Sequence, residues 1–133
     1  MKKITLFSSG NLSEEKSGSY RVLLSYQERT KEWVETLDET TQNRLELSGL
    51  IKGLSMLQEP CEVTLYTDAP YLEKGLSLWL EKWEARGFSN VYNRDLWEVL
   101  ARYIHTHSVT LVLLDQEVFE RDYSALKQGL KTT

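Results

Sequence analysis

Apolar and polar positions follow two different rhythms along the chain, and the order in which the rhythms change outlines a fold. Residues 4–8 read as a short strand, with Ser9, Gly10 and Asn11 ending it in a turn and 13–17 forming a solvated loop. In 20–26, Val22, Leu24 and Tyr26 alternate with Arg21, Leu23 and Ser25, a second strand. A turn at 27–31 leads into a third strand at 32–37, which predicts an antiparallel meander. The spacing then changes to that of a helix. Thr40 or Thr41 is placed to cap it, Leu47, Leu50, Ile51, Leu54 and Leu57 form a wide stripe, and Pro60 is expected to stop it. Gly49 and Gly53 fall on one face, where close approach to a sheet offsets their low helix propensity.

Alternation returns at 62–68, where Val63, Leu65 and Thr67 interleave with Thr64, Tyr66 and Asp68. Pro70 sits where a following helix would have its first turn. Leu72, Leu76, Trp79, Leu80 and Trp83 give a helix over 71–86, broken by Gly87. Asp95 is expected to cap the next helix, which carries Leu96, Val99, Leu100, Tyr103 and Ile104. The nearly continuous apolar run at 109–114 predicts an interior strand, and 117–131 a last helix with Phe119, Tyr123, Leu126 and Leu130 on one face. The order is β-β-β-α-β-α-α-β-α, an α/β class with a mixed five-stranded sheet flanked by helices, in one domain over 1–133.

Composition adds limits. A chain of 133 residues, 41% hydrophobic and 27% charged, can close its own core. The net charge of -4 supplies no global basic field, so a nucleic-acid partner would have to meet a local patch. Cys61 is the only cysteine, which excludes an internal disulfide and fits a small buried hydrophobe. No apolar run matches a membrane span, and a cytoplasmic protein without membrane association is expected.

Candidate chemistry centres on Asp68, a carboxylate at the C-terminal edge of a strand, where open α/β folds place their sites; helix capping is the plainer role. The segments at 41–47 (Thr41, Asn43, Arg44, Glu46), at 61–68 ending in Thr67 and Asp68, at Gly87–Phe88 and at 93–97 (Asn93, Arg94, Asp95, Trp97) resemble bacterial type 1 ribonuclease H. The resemblance runs in order over nearly the whole chain. It implies the RNase H-like fold and metal-dependent cleavage of RNA in RNA/DNA hybrids. Two Mg²⁺ or Mn²⁺ ions held by carboxylates would stabilise attacking and leaving oxygens. By position it assigns Glu46, Asp68 and Asp122 as catalytic metal ligands, and Thr41, Asn43 and Arg44 to substrate binding.

The pattern breaks where the family's first acid belongs. An Asp-Gly pair is expected there, and the chain reads Ser9-Gly10. A neutral hydroxyl is a poor Mg²⁺ ligand, so a bridging carboxylate is missing. The glycine-rich loop after it is replaced by 11–17 with Glu14 and Glu15, the basic protrusion is reduced to 89–92, and Leu114 leads into Asp115 and Glu117 without the expected histidine loop. Ala69 and Pro70 also replace polar substrate contacts. Asp115, Glu117, Glu14 or Glu15 remain as substitutes for the lost ligand. Weak or lost cleavage on a degenerate site is expected, with a nucleic-acid- or protein-binding module as the alternative. His105 and His107 lack further ligands nearby and read as surface or helix-end groups rather than a zinc site. Trp79, Trp83 and Trp97 follow the helical stripes and read as core before stacking surface. Lys74, Lys82, Arg86 and Arg94 are a reduced basic surface or simply a solvated face.

Overall fold

A computed structural model of the chain describes residues 1–14 and 16–129, Glu14 by its backbone alone. Its five strands are β1 (Lys2–Glu14), β2 (Ser17–Tyr26), β3 (Arg29–Leu37), β4 (Cys61–Thr67) and β5 (Ser108–Leu113). They form one sheet in the order β3-β2-β1-β4-β5. The meander β1-β2-β3 is antiparallel, while β4 and β5 run parallel to β1 and to each other, respectively. Each parallel return crosses over through helix, as parallel pairing requires. The element order and the mixed sheet match the expectation from the sequence pattern.

Helices cover both faces. On one, α1 (Gln42–Ser55) and α4 (Arg94–Thr106) pack with Leu6, Val22, Val63 and Leu65 around Leu47, Leu50, Leu54, Trp97 and Leu100. On the other, α5 (Gln116–Lys127) lays Phe119 and Tyr123 on Phe7 and Leu23. The glycine pair of α1 does set a close approach: a Cβ on Gly53 would stand 2.8 Å from Leu6 Cδ1, and one on Gly49 3.1 Å from Tyr20 Cβ. Thr41 caps α1, its hydroxyl accepting from the Arg44 amide at 3.2 Å.

Between β4 and α4 the chain is helical through α2 (Pro70–Lys74), a π-helical turn (Gly75–Trp79) and α3 (Leu80–Ala85). The widened turn coincides with a seat for Trp97, because a Cβ on Gly75 would lie 2.2 Å from the indole. Among the described residues no helix is long and apolar enough to cross a membrane.

Several local expectations change. The segment 9–14 is not a turn and loop: β1 continues through it, because antiparallel pairing with 17–21 satisfies a backbone that its polar, turn-forming side chains do not direct. The run at 109–114 forms an edge strand, since β5 lands beside β4 and no later strand among the described residues covers it; Leu113 stays 43% exposed. Helix α1 ends at Ser55, ahead of Pro60, with Met56 and Leu57 bonding three residues back in a tightened last turn. Asn93, not Asp95, holds the cap position of α4, because Asp95 faces Arg44. His107 is buried, its Nδ1 accepting from the Cys61 amide at 3.1 Å, so it ties the end of α4 to the start of β4. His105 stays on the surface against Glu84. The last helix ends at Lys127, and the expected stretch beyond 129 lies outside the described residues.

Candidate active site

Ser9 and Asp68 meet because β1 and β4 are parallel neighbours, with Ser8 opposite Thr67, so that Ser9 within β1 lies beside Asp68, the residue just past the end of β4. Thr67 turns inward: its hydroxyl donates to the Ser8 carbonyl at 2.9 Å and accepts from the Ala69 amide. That arrangement leaves the cap of α2 to Ala69, with Pro70 at the first turn, and frees the Asp68 carboxylate from capping. Ser9 Oγ instead donates to Asp68 Oδ2 at 3.3 Å.

Glu46 arrives from α1. Gly10 lets the helix start press against β1, since a Cβ there would meet Glu46 N at 3.0 Å. Gln42, one turn earlier, clasps the two elements. Its Nε2 donates to the Gly10 carbonyl at 2.7 Å and to Glu46 Oε2 at 2.6 Å, while its Oε1 accepts from the Leu12 amide. Glu46 is 7% exposed and its Oε1 has no partner. Burial pushes the Glu46 carboxyl above the ordinary range, opposed by the Gln42 bond and reinforced by the charge of Asp68. Asp68 is raised as well, again chiefly by burial, with the Ser9 bond and Arg21 opposing.

A pocket of about 280 Å³ is lined by Ser9, Gly10 and Asp68 together with Arg21, Gln116 and Glu120, and Glu46 is not among its lining residues. Arg21 forms an ion pair with Glu120. Glu120 and Gln116, one turn apart on α5, are the side chains that α5 brings to the pocket. Asp122 does not line it: it is half-buried and accepts from Arg121 Nε at 3.0 Å. The sequence pattern does not single out Arg21 or Glu120, because a basic residue in a meander and an acid in a polar helix face are ordinary. Only the pairing of Ser9 with Arg21 across β1 and β2 marks them.

The ligand set for two divalent cations is therefore incomplete. Glu46 and Asp68 supply carboxylates on one side, and the unpartnered Glu46 Oε1 is a suitable hard donor. Position 9 offers a hydroxyl already committed to Asp68, and its cross-strand partner Arg21 brings a guanidinium to the same pocket. No three carboxylate, imidazole or thiol groups among the described residues converge closely enough to hold a metal ion. Of the possible substitutes, Asp115 caps α5, accepting from the Val118 amide at 2.8 Å, and Glu117 is exposed in its first turn. The Glu15 suggestion, and that for the Glu14 side chain, lie outside the described residues.

The substrate-side residues divide. Thr41 and Asn43 line a second groove of about 580 Å³ together with Tyr71, Trp79, Trp83 and Tyr92. Trp97 is wholly buried behind it, in edge contact with Trp83 at 5.0 Å and donating to Tyr71 Oη at 2.8 Å. Arg44 points elsewhere: its guanidinium donates to both Asp95 oxygens, at 3.1 and 2.8 Å, and to Asn93 Oδ1 at 3.1 Å. Bonding to Arg44 holds the Asp95 carboxyl below its ordinary range. A half-exposed bidentate pair contributes modestly. Arg44→Ala is thus expected to lower stability by about 0.5–1 kcal/mol at neutral pH. The loss should shrink as pH falls through the lowered Asp95 value, in thermal melts of both proteins across acid pH.

The RNase H family model matches residues 1–114. The chain belongs to the RNase H family. The ribonuclease H of a Sulfurovum species is 41% identical over 109 residues, covering 81% of this chain and 74% of that protein. The ribonuclease HI of Helicobacter pylori is 34% identical over 113 residues, covering 84% and 79%. Among solved structures, LC9-RNase H1, a type 1 RNase H with the type 2 active-site motif, superposes with a TM-score of 0.78 at 17% identity, over 98% of this chain and 75% of that one. LC11-RNase H1, solved in complex with an RNA/DNA hybrid, gives 0.69 at 18% identity, over 96% and 99%. These structures share the RNase H fold with this chain. Helix α5, with Glu120 and Asp122, lies beyond the stretch that the family model matches.

Proposed function

We propose that this RNase H family member binds RNA/DNA hybrids across the face that carries Ser9, Glu46 and Asp68, and cuts the RNA strand weakly or not at all. The observation that carries this reading is the Ser9 hydroxyl donating to Asp68, at the place where the family resemblance calls for a bridging carboxylate. Mg²⁺ or Mn²⁺ would supply Lewis-acid stabilisation in a complete site, but the described residues do not complete one. Hybrid binding is supported by the ribonuclease H relatives and by the hybrid-bound LC11-RNase H1. Thr41 and Asn43 can meet the strands from the groove they share with Trp79 and Trp83. Base stacking on exposed aromatic faces tolerates any sequence and contributes about 1–3 kcal/mol per base. Arg44 fits a positioning role between α1 and α4 better than a contact to nucleic acid.

The test is single-turnover cleavage of a labelled RNA/DNA hybrid in Mg²⁺ and in Mn²⁺, beside anisotropy binding of the same duplex. Cleavage is expected to be at least about three orders of magnitude slower than by a relative with the Asp-Gly pair, roughly 4 kcal/mol of barrier. Asp68→Asn should abolish any cleavage that remains. A rate within about tenfold of that relative overturns the loss of activity, and failure to bind hybrid overturns the partner. The binding-module alternative predicts hybrid affinity indifferent to Asp68→Asn.

A further inference from the structure

We propose that Arg21 is the resident cation of the acidic pocket, and that it closes the site to divalent ions even when a carboxylate is restored at position 9. The inference rests on the pocket being this chain's counterpart of the family's acidic site. Three independent features of the geometry carry it.

Arg21 and Ser9 are direct cross-strand partners of β2 and β1, so their side chains emerge on the same face of the sheet, the face that α5 covers. The position that lacks a carboxylate is therefore opposite a fixed positive charge. On a face where an acid would be expected to attract a metal, the chain carries a neutral hydroxyl and a guanidinium side by side.

Arg21 is also held in place. Its guanidinium carbon lies 4.4 Å from the Tyr123 ring centre and 5.3 Å from that of Phe119, and it forms the ion pair with Glu120. Tyr123 is itself anchored, its hydroxyl donating to Glu32 Oε2 at 2.6 Å, and Glu32 receives Lys127 Nζ at 3.0 Å. Stacking and pairing together leave the planar group little freedom to swing away from the pocket wall.

Finally, the pocket already holds a cation among its acids. Arg21 pairs with Glu120 and its charge acts on Asp68, the two carboxylates that line the pocket. A guanidinium stays protonated at any ordinary pH, so this positive charge is permanent. A divalent ion entering beside it would meet like charge and would have to compete for Glu120 and Asp68. Restoring only the acid at position 9 adds one ligand and leaves the competing cation in position.

The experiment measures metal binding without nucleic acid, so it stands or falls separately from the hybrid-binding reading. Mn²⁺ binding is followed by loss of the free-ion electron paramagnetic resonance signal, and by the Mn²⁺-dependent shift of Tm, for wild type, Ser9→Asp, Arg21→Gln and the Ser9→Asp/Arg21→Gln double variant. Arg21→Gln retains part of the stem over the rings and removes the charge; Arg21→Gly serves as a second background with the same readouts. Wild type and Ser9→Asp are expected to leave millimolar Mn²⁺ free and Tm unmoved. The double variant is expected to bind with a Kd at least about tenfold below that of Ser9→Asp, with a matching rise in Tm. Stoichiometric binding by wild type overturns the proposal. So does a double variant, in both Arg21 backgrounds, that binds no better than Ser9→Asp alone.

Discussion

Replacing Trp97 with alanine is expected to cost about 3–5 kcal/mol of stability, a large part of what holds a domain of this size folded. The indole is wholly buried, seated over Gly75, and joined to Tyr71 by a 2.8 Å hydrogen bond. Truncation therefore leaves a cavity, an unpaired tyrosine hydroxyl and an unsupported π-helical turn. The aromatic series runs outward from Trp97 to Trp83 and then to Trp79, whose ring centre is 5.7 Å from that of Trp83. Loss of the inner member should loosen the groove wall that the outer two provide. Denaturant unfolding measures the first effect and hybrid anisotropy the second. Trp79→Ala is the informative partner. It should change stability by less than about 1 kcal/mol while weakening hybrid binding about tenfold. Equal losses of stability in both variants would place Trp79 in the core and remove it from recognition.

Neutralising Glu46 and Asp68 is expected to stabilise the protein at neutral pH. Glu46→Gln with Asp68→Asn should together add about 2 kcal/mol, since each removes a desolvated charge with an incomplete set of partners. The sign follows from linkage. Both carboxyls have folded pKa values above their ordinary ones, so the folded state holds these protons more tightly than the unfolded chain does. Their contribution is fully present below the ordinary carboxylate range and is lost as pH rises through the raised values. The advantage of the double variant should therefore be greatest at neutral pH and disappear on acidification toward the ordinary carboxylate range. Asp95 and Glu32, whose values are lowered, shift the absolute curves the opposite way; the difference between variant and wild type isolates Glu46 and Asp68. Thermal melts of both proteins over that window provide the measurement. A double variant that is less stable than wild type at neutral pH would show that these charges have better partners than Gln42 and Ser9.

Much of the architecture was legible as one-dimensional pattern. The meander, the Gly49–Gly53 approach of α1 to the sheet and the Asp68 strand follow from alternation and helical spacing, because those record which faces are buried. The Thr41, Asn43, Arg44 and Glu46 segment, and the Ser9 substitution with it, were equally readable, being local in the chain. The sequence by itself thus determined the fold class, the family, and a serine at position 9 where the resemblance calls for an acid.

What it could not determine were relations between distant residues. That β5 is an edge strand depends on where a crossover lands. That 9–14 extends β1 depends on a partner strand offering hydrogen bonds that polar side chains do not announce. Arg44 serves Asp95, and His107 serves the backbone of Cys61, because two helix ends happen to meet those groups in space. Above all, only the tertiary structure set Arg21 opposite Ser9 and in contact with Glu120. Sheet register and helix docking are properties of the packed whole, and they decide which fixed charge stands beside a carboxylate.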